Sequence, residues 1–176
     1  QSLAYEIICD ESSLEDKYKI EAIRKISKAC GKNGMVYGQY LDINAEKKKI
    51  NEQSIKNIHT LKTGKLIECS VMLGQIGNDN FEEKDFIKSF GNKIGLAFQI
   101  TDDILEVTSN EEALGKNINS DIRNSKATYV NILGLEESIK KSKDLCESAI
   151  NELKNIKSDE IDLLIELAKY ICYREK

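Results

Sequence analysis

Proline and tryptophan are absent from this chain of 176 residues, histidine occurs once, and aromatic residues make up only 6 %. Without proline there is no polyproline segment, and no helix is broken by the missing amide donor. The single histidine, His59, has no serine or cysteine nucleophile beside it, which argues against a nucleophile–base dyad. No apolar run approaches the roughly 18 residues of a membrane span, no signal peptide is visible, and no glycine-rich phosphate loop occurs. Basic tracts interleaved with aromatics are also missing, which argues against nucleic acid as a partner. Cys9, Cys30, Cys69, Cys146 and Cys172 are dispersed, odd in number and free of any CxxC spacing. They are expected to be reduced core thiols of a cytoplasmic protein.

What remains is a charged, helix-forming sequence. Charged residues reach 32 %, with 26 Lys and Arg against 30 Asp and Glu, and both signs are scattered. Period-two alternation is scarce and the 3.6-residue period common, so the fold class is all-α and the chain is expected to form one domain over residues 1–176. Gln1-Ser2-Leu3-Ala4-Tyr5-Glu6-Ile7-Ile8 reads as the middle of a helix, the mark of a fragment. Ser12-Ser13-Leu14-Glu15 offers a capping box for a helix ending at Gly31. A short helix spans about Met35–Ile43, and Lys47-Lys48-Lys49 is a solvated connection. A longer helix covers about Gln53–Ile76 with Gly64 inside it, and Gly77 follows its end. Asn80-Phe81-Glu82-Glu83 caps a central helix to about Thr108. Polar residues 109–127 form the longest irregular stretch, before helices at about 128–133, 136–156 and 159–175.

The central helix carries the main anomaly. At about 100° per residue, Gln99, Asp102, Asp103 and Glu106 share an arc of about 100°. Leu96, Ala97, Phe98, Ile100, Ile104, Leu105 and Val107 fill nearly all the rest. A helix this apolar is largely buried, and buried carboxylates need partners or a metal. An oxygen-only donor set with open positions suits Mg²⁺ better than zinc.

Cations accompany the stripe. In Leu61-Lys62-Thr63-Gly64-Lys65, Gly64 would permit a kink or a close helix approach, turning Lys62 and Thr63 toward the acidic side chains. Gly115-Lys116 and Lys126-Ala127-Thr128 flank Asp121 in the segment leaving the acidic helix. Lysine ammonium groups are point-charge partners for phosphate oxygens. Each of these segments also has a bland reading, as an exposed Lys or a tolerated Gly. Gly38-Gln39-Tyr40-Leu41-Asp42 is equally a helix turn with a polar face. His59 reads as a structural or surface residue. Together the segments imply a substrate with an anionic, phosphate-like head and a hydrocarbon body.

Five segments in order resemble the trans-isoprenyl diphosphate synthases (polyprenyl synthetases), most closely the bacterial farnesyl type. They are Met35-Val36-Tyr37-Gly38-Gln39-Tyr40-Leu41-Asp42, Ile58-His59-Thr60-Leu61-Lys62-Thr63-Gly64, Gly95 through Glu106, Leu114-Gly115-Lys116 with Ser120-Asp121, and Lys126-Ala127-Thr128-Tyr129. The ending Tyr170-Ile171-Cys172-Tyr173-Arg174 is also similar to that family's last helix.

The resemblance implies an isoprenoid-synthase-like helical bundle around a central cavity, here without its N-terminal helices. It implies Mg²⁺ (or Mn²⁺) at Asp102, Asp103 and Glu106, and diphosphate contacts from Lys62, Lys116 and Lys126. Thr63 and Gln99 would lie near the reacting carbon, with Gln39 and Asp42 behind them; Lys62, Thr63 and Gln99 form the catalytic set. The substrates would be an allylic diphosphate and isopentenyl diphosphate, joined head to tail to a farnesyl or geranylgeranyl product. A homodimer would form mainly through residues 1–31, using Leu3, Ile7, Ile20, Ile23 and Ile26. Glu106 stands where the family usually has Asp, Tyr37 where a small residue is common, and Ser125 where Gly is frequent. The family's first DDxxD has no counterpart in this sequence, so the chain is expected to be inactive alone. The alternative reading is a catalytically silent subunit that works by dimerising.

Overall fold

The computed structural model describes residues 1–11, 13–46, 48–77, 81–114, 127–156, 158 and 161–174, and among them the secondary structure is helical throughout. Helix α1, Ser2–Glu6, runs on into a π-helical turn, Ile7–Glu11. Then come α2 (Asp16–Cys30), α3 (Met35–Ala45) and α4 (Glu52–His59). A π-turn over Thr60–Gly64 joins α4 to α5 (Lys65–Leu73) without a break. Helix α6 covers Phe81–Leu114, and α7 (Tyr129–Leu133), α8 (Leu135–Leu153) and α9 (Ile161–Tyr173) complete the bundle. No helix among the described residues is long and apolar enough to cross a membrane.

Most boundaries follow local chemistry. Asn51 caps α4, its Oδ1 accepting from the Ser54 amide at 2.9 Å. Gly77, after the end of α5, sits at φ 85°, in the left-handed region that favours glycine. Gly31 directly follows α2, as predicted. The predicted capping box does not start that helix. Glu15 is the cap residue, extended and making no side-chain capping hydrogen bond to the helix backbone; its carboxylate pairs instead with the Lys17 ammonium at 3.0 Å. A capping box needs the glutamate inside the first turn, and here the helix begins one residue after it. Helix α6 outruns its predicted end at Thr108 by a further six residues, to Leu114.

Helix α6 is the spine. Ile87, Phe90, Ile94 and Ala97 repeat at helical spacing and pack with Cys146, Ala149 and Leu153 of α8 and Ala168 and Cys172 of α9. One turn further on, Leu96 and Ile100 bury against Ile55 of α4 and Tyr129 of α7. A third cluster joins Ile26, Ala29 and Cys30 of α2 to Cys69 of α5. Four of the five predicted thiols are buried and unpaired, as expected; Cys9 is exposed.

Backbone contact at glycines brings α3, α5 and α6 together. A Cβ on Gly95 would lie 2.8 Å from the Gly64 Cα, and one on Gly91 would lie 3.0 Å from the Glu68 Cα. A Cβ on Gly38 would stand 2.2 Å from the Lys62 amide nitrogen. The close approach expected at Gly64 therefore exists, but the steric demand falls on Gly95 and Gly38. A Cβ on Gly64 itself would meet only the His59 carbonyl oxygen, at 3.5 Å.

Two measurements follow from this packing. Gly38→Ala should cost about 3 kcal/mol in urea unfolding, because the new methyl meets backbone that cannot swing aside. The second concerns Glu152, which accepts from Ser89 at 3.0 Å and pairs with Lys93, tying α8 to α6. The hydrogen bond from Lys93 is the main force lowering the Glu152 pKa below its ordinary 4.5, against a smaller rise from burial. The unfolded chain therefore takes up this proton first. The stabilisation is complete above about pH 4.5 and is lost as pH falls through the lower folded value. Glu152→Gln should flatten that part of the stability–pH curve, measured by urea midpoints on either side of about pH 4.

Candidate functional site

Three elements meet where the glycines let them. On α6, Gly95, Gln99, Asp102 and Glu106 recur at i, i+4, i+7 and i+11, so Asp102 and Glu106 lie within about 20° of Gly95 around the helix axis. Gly64 rests on Gly95, and the π-turn holding Lys62 and Thr63 therefore crosses α6 at the foot of this stripe. Gln99 is about 6 Å further along the helix and Asp102 about 10 Å. The extra residue of a π-turn rotates the side chains around it, and such turns cluster at functional sites.

Lys62 is placed by a second helix. Gly38 packs on its backbone, and Asp42, one turn further along α3, accepts from the Lys62 ammonium at 2.5 Å. Both side chains are about one-third exposed, so the pair is accessible to a ligand. Thr63 is half-buried and Gln39 is exposed. The structure thus brings Asp42 to Lys62 and sets the π-turn that carries Lys62 and Thr63 against α6 at Gly95, one turn before Gln99. Lys116 and Lys126 lie outside the described residues.

The three carboxylates are placed differently. Asp102 keeps 40 % of its side chain exposed; it accepts from the Gln99 amide at 3.1 Å and pairs with Arg174. Partial burial is the main influence pushing its carboxyl above the usual range. Arg174 and Gln99 pull it back, and Glu106 adds a further push upward. Glu106 is exposed one turn beyond. Asp103, about 80° away from Gly95 around the helix, is buried at 7 % exposure. Its Oδ2 accepts from the Tyr129 amide at 2.8 Å and lies 3.8 Å from His59 Nε2.

The Asp103 bond fixes where the chain re-enters the bundle. Thr128 caps α7, its hydroxyl accepting from the Asn131 amide at 3.1 Å, while Tyr129 is fully buried against His59 with ring centroids 5.5 Å apart. His59 is accordingly a core residue, which decides between the structural and surface readings that the sequence left open. Burial and the nearby Glu52 and Asp103 raise the Tyr129 phenol far above its ordinary pKa, so it stays neutral.

No group of three or more His, Cys, Asp or Glu side chains forms a metal cage among the described residues. Asp102 and Glu106 are instead two hard oxygen donors one turn apart on an open face. That arrangement fits Mg²⁺, which keeps several waters and binds through one or two carboxylates plus phosphate oxygens of a ligand. A divalent cation there would relieve the partly buried Asp102 carboxyl, whose pKa burial and the neighbouring Glu106 charge push upward. Arg174 was missed as a site residue. Its guanidinium stacks over the Phe98 ring at 4.6 Å while it pairs with Asp102. An arginine closing the last amphipathic helix was the available signal, and only the tertiary fold shows which carboxylate it meets.

Comparison with known proteins gives a consistent result. Residues 1–168 match the polyprenyl synthetase family. The chain is 37 % identical to the farnesyl diphosphate synthase of Escherichia coli, an alignment spanning 100 % of this chain and 61 % of that protein. It is 39 % identical to the farnesyl diphosphate synthase of Micrococcus luteus, over 94 % of this chain and 57 % of that protein. Among solved structures, the geranyltransferase of Helicobacter pylori complexed with magnesium and isoprenyl diphosphate superposes with a TM-score of 0.78 at 32 % identity. That match covers 97 % of this chain and 55 % of the other. The chain therefore spans little more than half the length of the proteins it matches.

The contrast between adjacent aspartates is testable. Asp103→Ala leaves the buried Tyr129 amide without its acceptor and should cost about 2 kcal/mol or more. Asp103→Asn retains an acceptor and should recover most of that loss, whereas Asp102→Ala should stay within about 1 kcal/mol. Urea unfolding of the three variants checks the ranking.

Proposed function

The chain belongs to the polyprenyl synthetase family, and from that premise we propose that it supplies the allylic-diphosphate half of an isoprenyl diphosphate synthase. The reaction is the head-to-tail condensation of isopentenyl diphosphate with an allylic diphosphate, giving a farnesyl- or geranylgeranyl-type product. The observation that carries this reading is the accessible pair Asp102 and Glu106 on the same stripe of α6 as Gln99, with Lys62 and Thr63 crossing at its foot.

Asp102, with Glu106 beside it, would hold Mg²⁺, and Asp103 anchors the helix from behind through Tyr129. Magnesium, when bound, supplies the positive charge that makes the diphosphate a good leaving group. The Lys62 ammonium, parked on Asp42 at 2.5 Å, is the protein's own cation for the phosphate oxygens. Lys116 and Lys126 are assigned the same task from the sequence. Gln99 keeps the Asp102 carboxylate oriented through its 3.1 Å bond, and Thr63 lines the approach to the reacting carbon. Breaking the allylic C–O bond leaves an allylic cation, which the apolar flanks of the stripe shield from water. The isopentenyl double bond attacks this cation, and the released diphosphate takes the proton that is then lost.

A homodimer is part of the proposal. Leu3, Ile7 and Ile20 are exposed on α1, its π-turn and α2, as an interface requires; Ile26 is buried in the core and takes no part.

Calorimetric titration of the chain with a bisphosphonate in Mg²⁺ should show binding that weakens at least tenfold, about 1.4 kcal/mol, in Asp102→Ala. Unchanged affinity in that variant would reject the site. In a coupled diphosphate-release assay the 176-residue chain should show no turnover by itself; turnover at the rate of an intact synthase would overturn that expectation.

A further inference from the structure

A second charged cavity lies away from the acidic stripe, between α2, α5 and the first turns of α6. It encloses about 570 Å³ and is edged by Arg24, Lys25, Lys28, Lys65 and Lys88. Glu68 is the one carboxylate in its lining, so five cations face one anion in a chain whose net charge is −4. These cations come from three helices and from positions up to 64 residues apart, so their convergence comes from the packing and not from one lysine-rich stretch. Along α6, Lys88 precedes Asp102 by about 21 Å.

Pairing separates these side chains into two groups. Lys65 is bound to the buried Glu68 at 2.5 Å, and Lys25 to Glu21 at 3.3 Å, one turn earlier on α2. Arg24, Lys28 and Lys88 have no carboxylate partner among the described residues. Arg24 and Lys28 stand at i and i+4, a like-charge spacing that destabilises a helix unless an anion lies between them. The floor is apolar, with Ala29 and Cys69 buried and Met72 beside them. A low-dielectric wall strengthens each charge at the mouth.

We propose that this cavity binds a small anion carrying two or more linked phosphoryl groups, free or esterified, independently of the acidic stripe. Its volume lies in the range of small-molecule sites. Lysines act as point charges for separate phosphoryl groups, and Arg24 adds a planar fork able to take two oxygens of one group. Glu68, held by Lys65, leaves the three unpaired cations for the ligand. The cations come from three helices around one cavity, so linked phosphoryl groups offer each of them a separate partner, which one orthophosphate does not.

The test titrates the full chain with tripolyphosphate and with adenosine triphosphate, each at low ionic strength with a chelator present to exclude divalent metal. Binding should be saturable at one site, at least tenfold tighter for tripolyphosphate than for orthophosphate, and weakened by salt. Lys28→Gln combined with Lys88→Gln should weaken tripolyphosphate binding tenfold or more. Lys140→Gln combined with Lys143→Gln, on exposed positions of α8, should change it less than twofold. Asp102→Asn should likewise leave it unchanged, which separates this site from the metal-dependent one. The ratio of the two ligands' affinities then tells a free phosphoryl chain from an esterified one. Absence of saturable binding, an equal loss from the α8 pair, or a loss from Asp102→Asn overturns the proposal. Circular dichroism confirms that each variant remains folded.

Discussion

Everything at the candidate site depends on one short distance, the contact of Gly95 with the backbone at Gly64. Helices usually pack with their axes 8–10 Å apart, held off by side chains. Here backbone meets backbone, and the π-turn that carries Lys62 and Thr63 rests on α6 one turn before Gln99 and two before Asp102. Gly91 against Glu68 repeats the approach one turn away, and Gly38 carries it outward to α3. Three helical segments thus converge with no side chain between them at these glycines.

The acidic motif divides its labour through helical phase. Asp102 and Glu106 share the face of Gly95, while the neighbouring Asp103 points into the core and holds the Tyr129 amide. This bond spans 26 residues and pins the return of the chain directly after the segment that contains Lys116 and Lys126. One carboxylate therefore organises the site without facing it. In this chain the pair of adjacent aspartates combines a part-exposed carboxylate with a buried anchor.

Much of this was readable from residue order, and the exceptions have physical causes. Periodicity placed most of the helices because they bury an apolar stripe, α4, α8 and α9 against α6 and α2 against α5. The apolar surround of Gln99, Asp102, Asp103 and Glu106 marked them as unusual. Gly77 marked the end of its helix to within a turn because its chemistry is local, whereas the Asn51 cap emerged only with the structure. The role of Gly95 was hidden: a glycine in a helix reads as a weak spot until the opposing backbone is known. Arg174 was hidden for a similar reason, since its partner lies 72 residues away. The different roles of Asp102 and Asp103 could have been drawn from a helical wheel centred on Gly95, but choosing that centre required the fold. The capping box failed because the helix begins at Asp16, which leaves Glu15 outside the first turn where the motif needs it; Ser12 lies outside the described residues.

The π-turn at Thr60–Gly64 also constrains how this chain can change over time. A π-turn is an α-helix with one residue inserted, and removing a single residue from Thr60–Gly64 would restore a regular helix from Glu52 to Leu73. That repair would turn everything on one side by about 100° relative to the other. Ile55 and Ile58 of α4 would leave the core, or Gly64 would leave Gly95. Substitutions at Thr60 or Leu61 keep the residue count and can be explored one at a time. A deletion there has no viable intermediate, so the length of this segment should be inherited more strictly than its letters.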